Sequence, residues 1–377
     1  MALVKPDVGR FAKIKVLGVG GGGGNALNSM ISSNSIAGVD FIAVNTDAQA
    51  LLANQAPVKL QIGEKLTRGL GVGGDPELGR QAAEESAEKI KQVLADTDMV
   101  FITGGMGGGT CTGGAAVVAD LAREQGALTV AVVTKPFAFE GSRRQVIAED
   151  GIANLKGKVD ALIVIPNQRL LDTIDKKITL LEAFRIVDGV LASGVQGISD
   201  IITLPGLINR DFADVKAIMK SAGSAFMGIG TAVGENRAAT AARSAISSPL
   251  LEVSLEGAKG ILFTIAGGSD LTMAEVEEAA KTIAEKADAD ANITFGATVD
   301  EKMVDQIKIT VIATGFDESR MRLAKMVRTT DLTKPNLAPV GEKRKIQESA
   351  AEEVSVEIPP EELGEEFEIP AFLRQGR

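Results

Sequence analysis

Two glycine-rich segments do most to limit the folds open to this chain of 377 residues. The first, Gly18–Asn25, has six glycines in eight positions and precedes a helix predicted at Ala26–Ser32. The second, Gly104–Gly114, also follows an apolar run and opens a helical pattern. Glycine lets backbone N–H groups approach an anion closely, and the start of a helix favours negative charge. We therefore predict two phosphate-binding segments, because a simple strand-to-helix turn needs fewer glycines.

Short apolar runs alternate with longer amphipathic runs in the first half of the chain. This pattern is typical of a parallel sheet covered by helices on both faces. Parallel strands end at one edge, so both glycine segments should lie there and hold one polyphosphate from two sides. The predicted strands are Lys13–Val19, Asp40–Asn45, Met99–Thr103, Leu128–Thr134 and Ala161–Pro166, with helices between them that include Pro76–Ala95 and Cys111–Gln125.

A long helix is predicted next, because apolar residues recur at spacings of three and four between Thr179 and Thr203. Pro205-Gly206 ends it. The region beyond has predicted helices at Asp211–Ser221 and Met273–Ala287 and strands at Ile261–Ala266, Ile293–Thr298 and Ile307–Thr314. The predicted fold class is therefore α/β: a Rossmann-like parallel-sheet domain at 11–178, a central connecting helix at 179–204 and a smaller α+β domain at 205–316.

The end of the chain differs in composition from the rest. Residues 317–366 are rich in Glu, Pro, Ser and Lys, which predicts a disordered acidic linker. From Gly341 to Arg377, ten acidic and five basic residues give a net charge of −5, half of the −10 of the whole chain. Residues 367–377 turn apolar again, and Ile369–Arg374 is predicted to be a partner-binding peptide.

Composition excludes several kinds of chemistry. The chain has no His, so the commonest general base and metal ligand is absent. Its one cysteine, Cys111, rules out an internal disulfide and fits a reducing compartment. The acidic balance argues against nucleic-acid binding. We see neither a signal-peptide pattern nor a run of about 18 apolar residues, and therefore expect a cytoplasmic protein that does not insert into a membrane.

The glycine segments alone leave more than one nucleotide-binding class open. The chain contains no G-K-[ST], so the site is not a Walker A loop. Gly18–Gly23 also satisfies G-x-G-x-x-G, and Asp47 near the end of the second strand could bind a ribose. A nicotinamide-dependent oxidoreductase is therefore one alternative, although it gives the second glycine segment no role.

The second segment carries a resemblance. Gly-Gly-Gly-Thr-x-Thr-Gly at Gly107–Gly113 resembles the signature loop of the tubulin/FtsZ GTPase family, in which x is Gly and here is Cys111. The Cβ of Cys111 must then be tolerated or the loop dihedrals must change. The resemblance covers most of 11–316 and the tail peptide. It implies GTP and GDP binding with Mg²⁺ and head-to-tail assembly. It also implies the cytoskeletal role of bacterial FtsZ proteins in the division ring, at mid-cell beneath the inner membrane. Division and membrane-adaptor proteins would bind through Ile369–Arg374.

The same resemblance assigns the nucleotide contacts. It places Gly71–Pro76 at the γ-phosphate, Glu140 and Arg144 at the ribose, and Phe184 on the guanine, whose edge would pair with Asn25 and Asp188. The helical periodicity alone would instead make Phe184 a core residue. The implied binding residues are Gly20, Gly21, Gly22, Gly23, Gly24, Asn25, Asp47, Gly73, Gly74, Gly107, Gly108, Gly109, Thr110, Cys111, Thr112, Glu140, Arg144, Asn167, Phe184 and Asp188.

The predicted catalytic residues are Asn209, Asp211 and Asp214. Taken locally, Asp211 could be a helix N-cap and Asp214 an acid in the first turn. The resemblance implies instead that this loop enters the nucleotide site of a neighbouring subunit, where the two carboxylates orient the attacking water. No covalent nucleophile is then needed. A family paralogue that binds GTP and hydrolyses it slowly remains the other alternative.

Overall fold

The computed structural model describes residues 12–33, 36–173, 178–203, 211–248, 250, 255, 257–288, 290–300 and 303–316. The predictions made for Asn209, for the linker at 317–366 and for the peptide at 367–377 lie outside these residues.

A six-stranded parallel sheet forms the first half of the fold, in the order β3-β2-β1-β4-β5-β6. Its strands are almost wholly apolar because helices bury both faces. The five predicted strands are confirmed, whereas β3, with only four residues, was not predicted. The strands are β1 Ile14–Val19, β2 Val39–Asn45, β3 Val58–Gln61, β4 Met99–Gly105, β5 Leu128–Lys135 and β6 Ala161–Pro166.

Helices cover both faces of this sheet. They are α1 Gly20–Ser33, α2 Ala48–Ala53, α3 Glu64–Thr67, α4 Pro76–Glu85, α5 Ala87–Leu94, α6 Thr110–Glu124, α7 Ser142–Lys156 and α8 Asn167–Thr173, with a 3-10 turn at Ala138–Glu140. α1 packs on one face, and α4 to α7 pack on the other.

Two predictions about these helices are corrected. α1 begins at Gly20 rather than Ala26, so most of the first glycine segment is helical. The region Pro76–Ala95 is two helices, α4 and α5, with a break at Ser86. The Ser86 hydroxyl accepts a hydrogen bond from the Gly63 N–H at 3.0 Å, and this contact to another segment accompanies the break.

The predicted central helix is present as α9, Leu180–Thr203. Val187, Leu191, Val195 and Ile198 bury its inner side in the same core as α1 and the parallel sheet. By length and composition, α9 is the one helix of the described residues that could cross a membrane, but half of its most apolar stretch is buried in the protein. A core helix has the same features.

The second half continues the same sheet. β7, Gly223–Val233, pairs in parallel with β6 and antiparallel with β10, so the two predicted domains share one ten-stranded sheet. β7 and α11 were not predicted, because Gly and Ala dominate them and give little periodicity. The remaining elements are α10 Phe212–Met219, α11 Arg237–Ile246, β8 Gly260–Gly267, α12 Met273–Ala284, β9 Asn292–Val299 and β10 Gln306–Thr314.

Candidate nucleotide-binding site

A cavity of about 350 Å³ lies at the carboxyl ends of β1, β4, β5 and β6. Parallel-sheet proteins bind their ligands at this edge. Thirteen of the predicted binding residues line it, together with six others: Gly20, Gly21, Gly22, Asn25, Gly105, Met106, Gly108, Gly109, Thr110, Cys111, Thr134, Pro136, Glu140, Arg144, Asn167, Phe184, Val187, Asp188 and Leu191.

Two helix N-termini open onto this cavity, those of α1 and α6. Neither first turn contains an acidic residue that would compensate the positive end of the helix. The backbones of the two glycine segments meet here, since a Cβ on Gly22 would lie 3.2 Å from the Gly105 nitrogen. Both glycine segments and both helix starts therefore border one small volume, which suits a polyphosphate.

Some glycines of the first segment serve packing instead. A Cβ on Gly18 would lie 2.5 Å from the Gly23 carbonyl oxygen, and one on Gly23 would lie 2.6 Å from the Thr103 carbonyl oxygen. These two positions let α1 lie directly against β1 and β4. Gly23 is buried and does not line the cavity.

The second glycine segment is held by contacts with α6 and with the loop before α4. The Gly107 N–H donates to the Thr112 hydroxyl at 2.9 Å, which ties the loop to the first turn of α6. Gly109 packs on the loop before α4, where a Cβ would lie 2.7 Å from the Asp75 carbonyl oxygen. That loop contains Gly73 and Gly74, both at positive φ and with open space around them. It therefore adjoins the signature loop without lining the cavity.

Cys111 keeps ordinary helical geometry in the first turn of α6. Its backbone nitrogen faces Gly20, whereas its buried side chain points to Gly104 and the core. Burial raises the pKa of the thiol to about 12. The extra Cβ is thus tolerated without a change in the loop, and the thiol is not an available nucleophile at neutral pH.

Glu140 and Arg144 form an ion pair on one wall of the cavity, with Arg144 Nη1 2.6 Å from Glu140 Oε2. Glu140 also accepts from the Phe137 N–H at 2.9 Å. The guanidinium lies close to Gly108 and donates to the Gly107 carbonyl oxygen at 3.4 Å. Arg144 is the only cationic side chain among the described lining residues, so backbone N–H groups must contribute much of the phosphate binding.

The far end of the cavity suits a flat, polar ring. Phe184 is 40% exposed and meets Phe137 edge-on at 5.4 Å, so it is not the buried core residue that its periodicity allowed. Asn167 is buried, and its Oδ1 has no hydrogen-bond partner among the described residues. Burial raises the pKa of Asp188 to about 6. An acceptor without a partner among the described residues and a partly buried carboxylate are groups that a guanine edge would satisfy.

Seven predicted binding residues do not line the cavity: Gly23, Gly24, Asp47, Gly73, Gly74, Gly107 and Thr112. Asp47 instead caps α2 by accepting from the N–H groups of Gln49 and Ala50. Gly24 accepts from Asn54 Nδ2 through its carbonyl oxygen. The lining residues missed by the sequence analysis include Thr134 near the end of β5 and Leu191 on α9. Thr134 ends a strand that the sequence predicted, and its place at the ligand-binding edge could have indicated it.

Asp211 and Asp214 lie at the start of α10 and do not line the cavity. Asp211 is the N-cap of α10, and its Oδ1 accepts from the Asp214 N–H at 3.0 Å. The turn after α10 is bonded to Asp160, which immediately precedes β6, whereas Asn167 of the cavity immediately follows β6. Six residues of strand separate these levels by roughly 20 Å. The turn that follows α10 therefore lies at the opposite edge of the sheet from the cavity.

A parallel sheet whose carboxyl edge carries two glycine-rich helix starts and a ring-sized polar recess defines a nucleotide-binding α/β protein of a non-Walker type. The sequence profile of the tubulin/FtsZ family GTPase domain matches residues 13–175, and that of the FtsZ family C-terminal domain matches 223–317. The chain belongs to the tubulin/FtsZ family and has its GTPase domain. Asp47, the ribose acid of the nicotinamide alternative, caps α2, and that alternative has no further support.

Solved structures agree with this assignment. An FtsZ dimer from M. jannaschii is 46% identical, with a TM-score of 0.78 over 81% of this chain and 89% of that one. A point mutant of M. jannaschii FtsZ is also 46% identical, with a TM-score of 0.79 over 82% of this chain and 92% of that one. CetZ2 of Haloferax volcanii, a GTPγS-bound protofilament, shares the fold at 24% identity and a TM-score of 0.67 over 85% of this chain and 100% of that one.

Proposed function

We propose that this protein is a self-assembling cytoskeletal GTPase of cell division, which polymerises head to tail and hydrolyses GTP at the contact between subunits. The observation that supports this proposal is that Asp211 and Asp214 do not line the cavity, while the turn that follows their helix lies at the opposite edge of the sheet. A second copy stacked on the first would bring its acids to the open cavity.

The nucleotide would lie along the cavity from the glycine segments to Asp188. Backbone N–H groups at the starts of α1 and α6 bind the phosphates, and Arg144 beside Gly108 adds one positive charge. Glu140 and Arg144 contact the ribose. Phe184 stacks on the base, and ionised Asp188 accepts from the guanine N1 and N2 donors, which adenine lacks.

The described residues contain no cluster of three or more potential metal-ligating side chains. We therefore expect Mg²⁺ to arrive as part of the substrate, held by phosphate oxygens and water. When bound, it neutralises charge on the transferred phosphoryl group. The protein adds a pocket of N–H groups that needs no metal cage of its own.

Hydrolysis needs a water aligned with the γ-phosphate. In the proposed arrangement, Asp211 and Asp214 of the neighbouring subunit orient and polarise that water. Asn209 of the same loop is assigned a positioning role by its resemblance to the family. The site lacks a general base such as His, but phosphoryl transfer depends mainly on positioning and electrostatics, so two carboxylates suffice.

Assembly of this kind is heterologous, because one surface of a subunit meets a different surface of the next. Such contacts continue into an open filament. The M. jannaschii relative is an FtsZ dimer, which supports self-association here. Loss of the γ-phosphate at the joint would weaken it. We further propose a cytoplasmic, mid-cell site of action beneath the inner membrane, reached without membrane insertion through adaptor proteins that bind Ile369–Arg374.

The decisive experiment measures GTP turnover against protein concentration, with light scattering in GTP and in GDP. We expect specific activity to rise above a threshold concentration for the wild type. Asp214→Ala should retain GTP binding and lose turnover, while Glu88→Ala, at an exposed position on α5, should behave as wild type. Full turnover by dilute wild-type monomer would contradict completion of the site by a neighbour.

A second candidate function is that of a slowly hydrolysing structural paralogue. The departure from the family signature at Cys111 favours it, although the loop geometry around Cys111 is undisturbed. GTP-dependent scattering without measurable phosphate release at any concentration would identify this case.

A further inference from the structure

We infer that Asp160 is a positioning residue for GTP hydrolysis: it fixes α10, and with it Asp211 and Asp214, at the edge of the sheet that would face a neighbour's cavity. The inference rests on the proposed function. It concerns a residue that touches neither the cavity nor the two acids, and that acts through the turn following α10.

Asp160 connects three segments of chain. It is 6% exposed and lies immediately before β6. Its Oδ2 accepts from the Thr129 N–H at 3.0 Å, at the start of β5. Its Oδ1 accepts from the Ser221 N–H at 3.3 Å, in the turn between α10 and β7. Its backbone also bonds both neighbours, accepting from the Gly223 N–H at 2.9 Å and donating to the Thr129 carbonyl oxygen at 2.8 Å.

The turn held by Asp160 needs such a partner. Ser221 has φ +53°, a left-handed conformation that is uncommon for a residue with a side chain. Both Asp160 carboxylate oxygens accept from backbone N–H groups rather than from a cation. The carboxylate therefore joins the strained turn directly to the first residues of the parallel sheet. This bond adds to the pairing of Ala161 with Gly223 in setting where the end of α10 meets β6.

Burial fixes α10 in other directions. Val215 and Met219 are fully buried against α9 and the sheet. The Thr314 hydroxyl donates to the Ile218 carbonyl oxygen at 3.2 Å from β10. These contacts hold the inner side of the helix, while Asp160 sets where its last turn joins the sheet. Displacement of catalytic groups by about 1 Å can cost roughly a hundredfold in rate, so a small shift matters for the acids at the other end of α10.

Asp160→Asn is the most selective test of this role. An Asn has one acceptor oxygen, which we expect to keep the shorter bond to Thr129 and so present its NH₂ group to the Ser221 N–H. The variant should fold, bind GTP as tightly as wild type when dilute, and show a kcat reduced by about tenfold to a hundredfold. Amide exchange at Ser221 should become faster. Wild-type kcat in a folded variant with exposed Ser221 N–H would overturn the inference.

Mixing two defective proteins separates positioning from general damage. The partner is the double variant Arg144→Ala/Asp188→Ala, whose cavity is impaired and whose α10 is intact. Increasing excess of this partner should raise turnover per Asp160→Asn subunit toward the wild-type value, because the intact α10 now completes the intact cavity. The same mixture made with Asp214→Ala serves as the reference.

The outcomes are distinct. If both Asp160→Asn and Asp214→Ala are rescued, the inference and the proposed function stand. If only Asp214→Ala is rescued, the inference about Asp160 is wrong and the proposed function stands. If Asp214→Ala is not rescued, completion by a neighbour is wrong and the inference falls with it. Should Asp160→Asn not fold, Asp160→Glu keeps both acceptors but shifts them by one methylene, and the same three outcomes apply.

Discussion

The side chain of Cys111 occupies the space that Gly104 leaves by having no side chain. A Cβ added to Gly104 would overlap the Cys111 sulfur and would lie 2.7 Å from the Val19 carbonyl oxygen. Gly104 lies near the end of β4 and Cys111 in the first turn of α6, so the two residues flank the loop between these elements. The unusual residue of the signature loop is therefore accommodated by a glycine that lies outside the signature positions Gly107–Gly113.

Cys111→Gly should lower stability and leave nucleotide binding intact. The substitution removes a buried side chain and puts glycine in a helix, each costing on the order of 1 kcal/mol. The backbone N–H that faces the cavity is retained. Denaturant unfolding of the nucleotide-free protein tests the first expectation, and GTP binding below the assembly threshold tests the second. A tenfold change in GTP affinity would show that the thiol contributes to the site.

Arg237→Ala should be strongly destabilising. Arg237, at the start of α11, is buried, and its side chain contacts Glu275 at 2.6 Å and Asp270 at 2.5 Å. This pairing holds the pKa of Glu275 at about 2. Removing the cation leaves Glu275, whose side chain is only 22% exposed, without its ion pair, so this variant should lose more unfolding free energy than one at an exposed ion pair.

Arg80→Ala is the matched control for Arg237. Arg80 also pairs with two acids, Glu77 and Glu84, but its side chain is 45% exposed, so its loss should change the unfolding free energy little. Equal losses of unfolding free energy in the two variants would contradict the argument from burial.

Asp200→Asn should change how stability depends on pH. Asp200 is on α9, and one of its carboxylate oxygens is buried without a hydrogen-bond partner in the described part of the chain. Burial raises its pKa from 3.8 to about 7, against opposing contributions from Gln196 and Lys308, while Asp300 adds to the rise. Between about pH 4 and 7 the folded state therefore binds more protons than the unfolded state, and stability falls as pH rises. Above about pH 7 the full penalty remains.

The variant should remove the contribution of Asp200 to that slope and leave the smaller one of Asp188, whose pKa is raised to about 6 in both proteins. It should be more stable than wild type at about pH 8, by about 1–3 kcal/mol. The gain is limited because Lys308 loses a nearby negative charge. Unfolding of both proteins at about pH 5 and pH 8 tests this. Glu77 and Glu275, whose pKa values are lowered from 4.5 to about 2, change stability only below that range and so do not obscure the comparison.

The sequence predicted the parallel sheet well because strands buried on both faces are continuous apolar runs, as in β4 and β5. It did not predict β7, where Gly, Ala and Ser replace β-branched residues. It also placed the start of α1 too late, because glycine has a low helix propensity and tertiary packing outweighs that propensity here. Phe184 could not be separated from the core by periodicity, since the exposure of one residue on α9 depends on what packs beside it.

For the site, local sequence identified the glycine segments but not which glycines line the cavity. Gly22 and Gly23 are adjacent and similar in sequence, yet one faces the cavity and the other packs on β4. That difference depends on how α1 is rotated about its own axis, and a run of glycines does not specify this rotation. The distance between Asp211 and the cavity likewise depends on the order of strands and on the direction of α9, neither of which a motif specifies.

Asp188 should make GTP binding depend on pH. Its pKa in the empty protein is about 6, because the carboxylate is partly buried. Only the ionised form accepts from two guanine donors, so the GTP dissociation constant should rise as pH falls below about 6, approaching about tenfold per pH unit. Competition against a fluorescent GTP analogue, with protein kept below the assembly threshold, measures this from about pH 5 to pH 7.5.

Comparison with Asp188→Asn separates the effect of the carboxylate from that of the GTP phosphates. The phosphates titrate in the same way with both proteins. At about pH 7.5 the variant should bind GTP more weakly by about tenfold to a hundredfold, the loss of one or two charge-assisted hydrogen bonds. The ratio of the two dissociation constants should then shrink steadily as pH falls through about 6, because protonated Asp188 and Asn are similar acceptors. A ratio that stays constant over this whole pH range would mean that Asp188 does not read the base as a carboxylate.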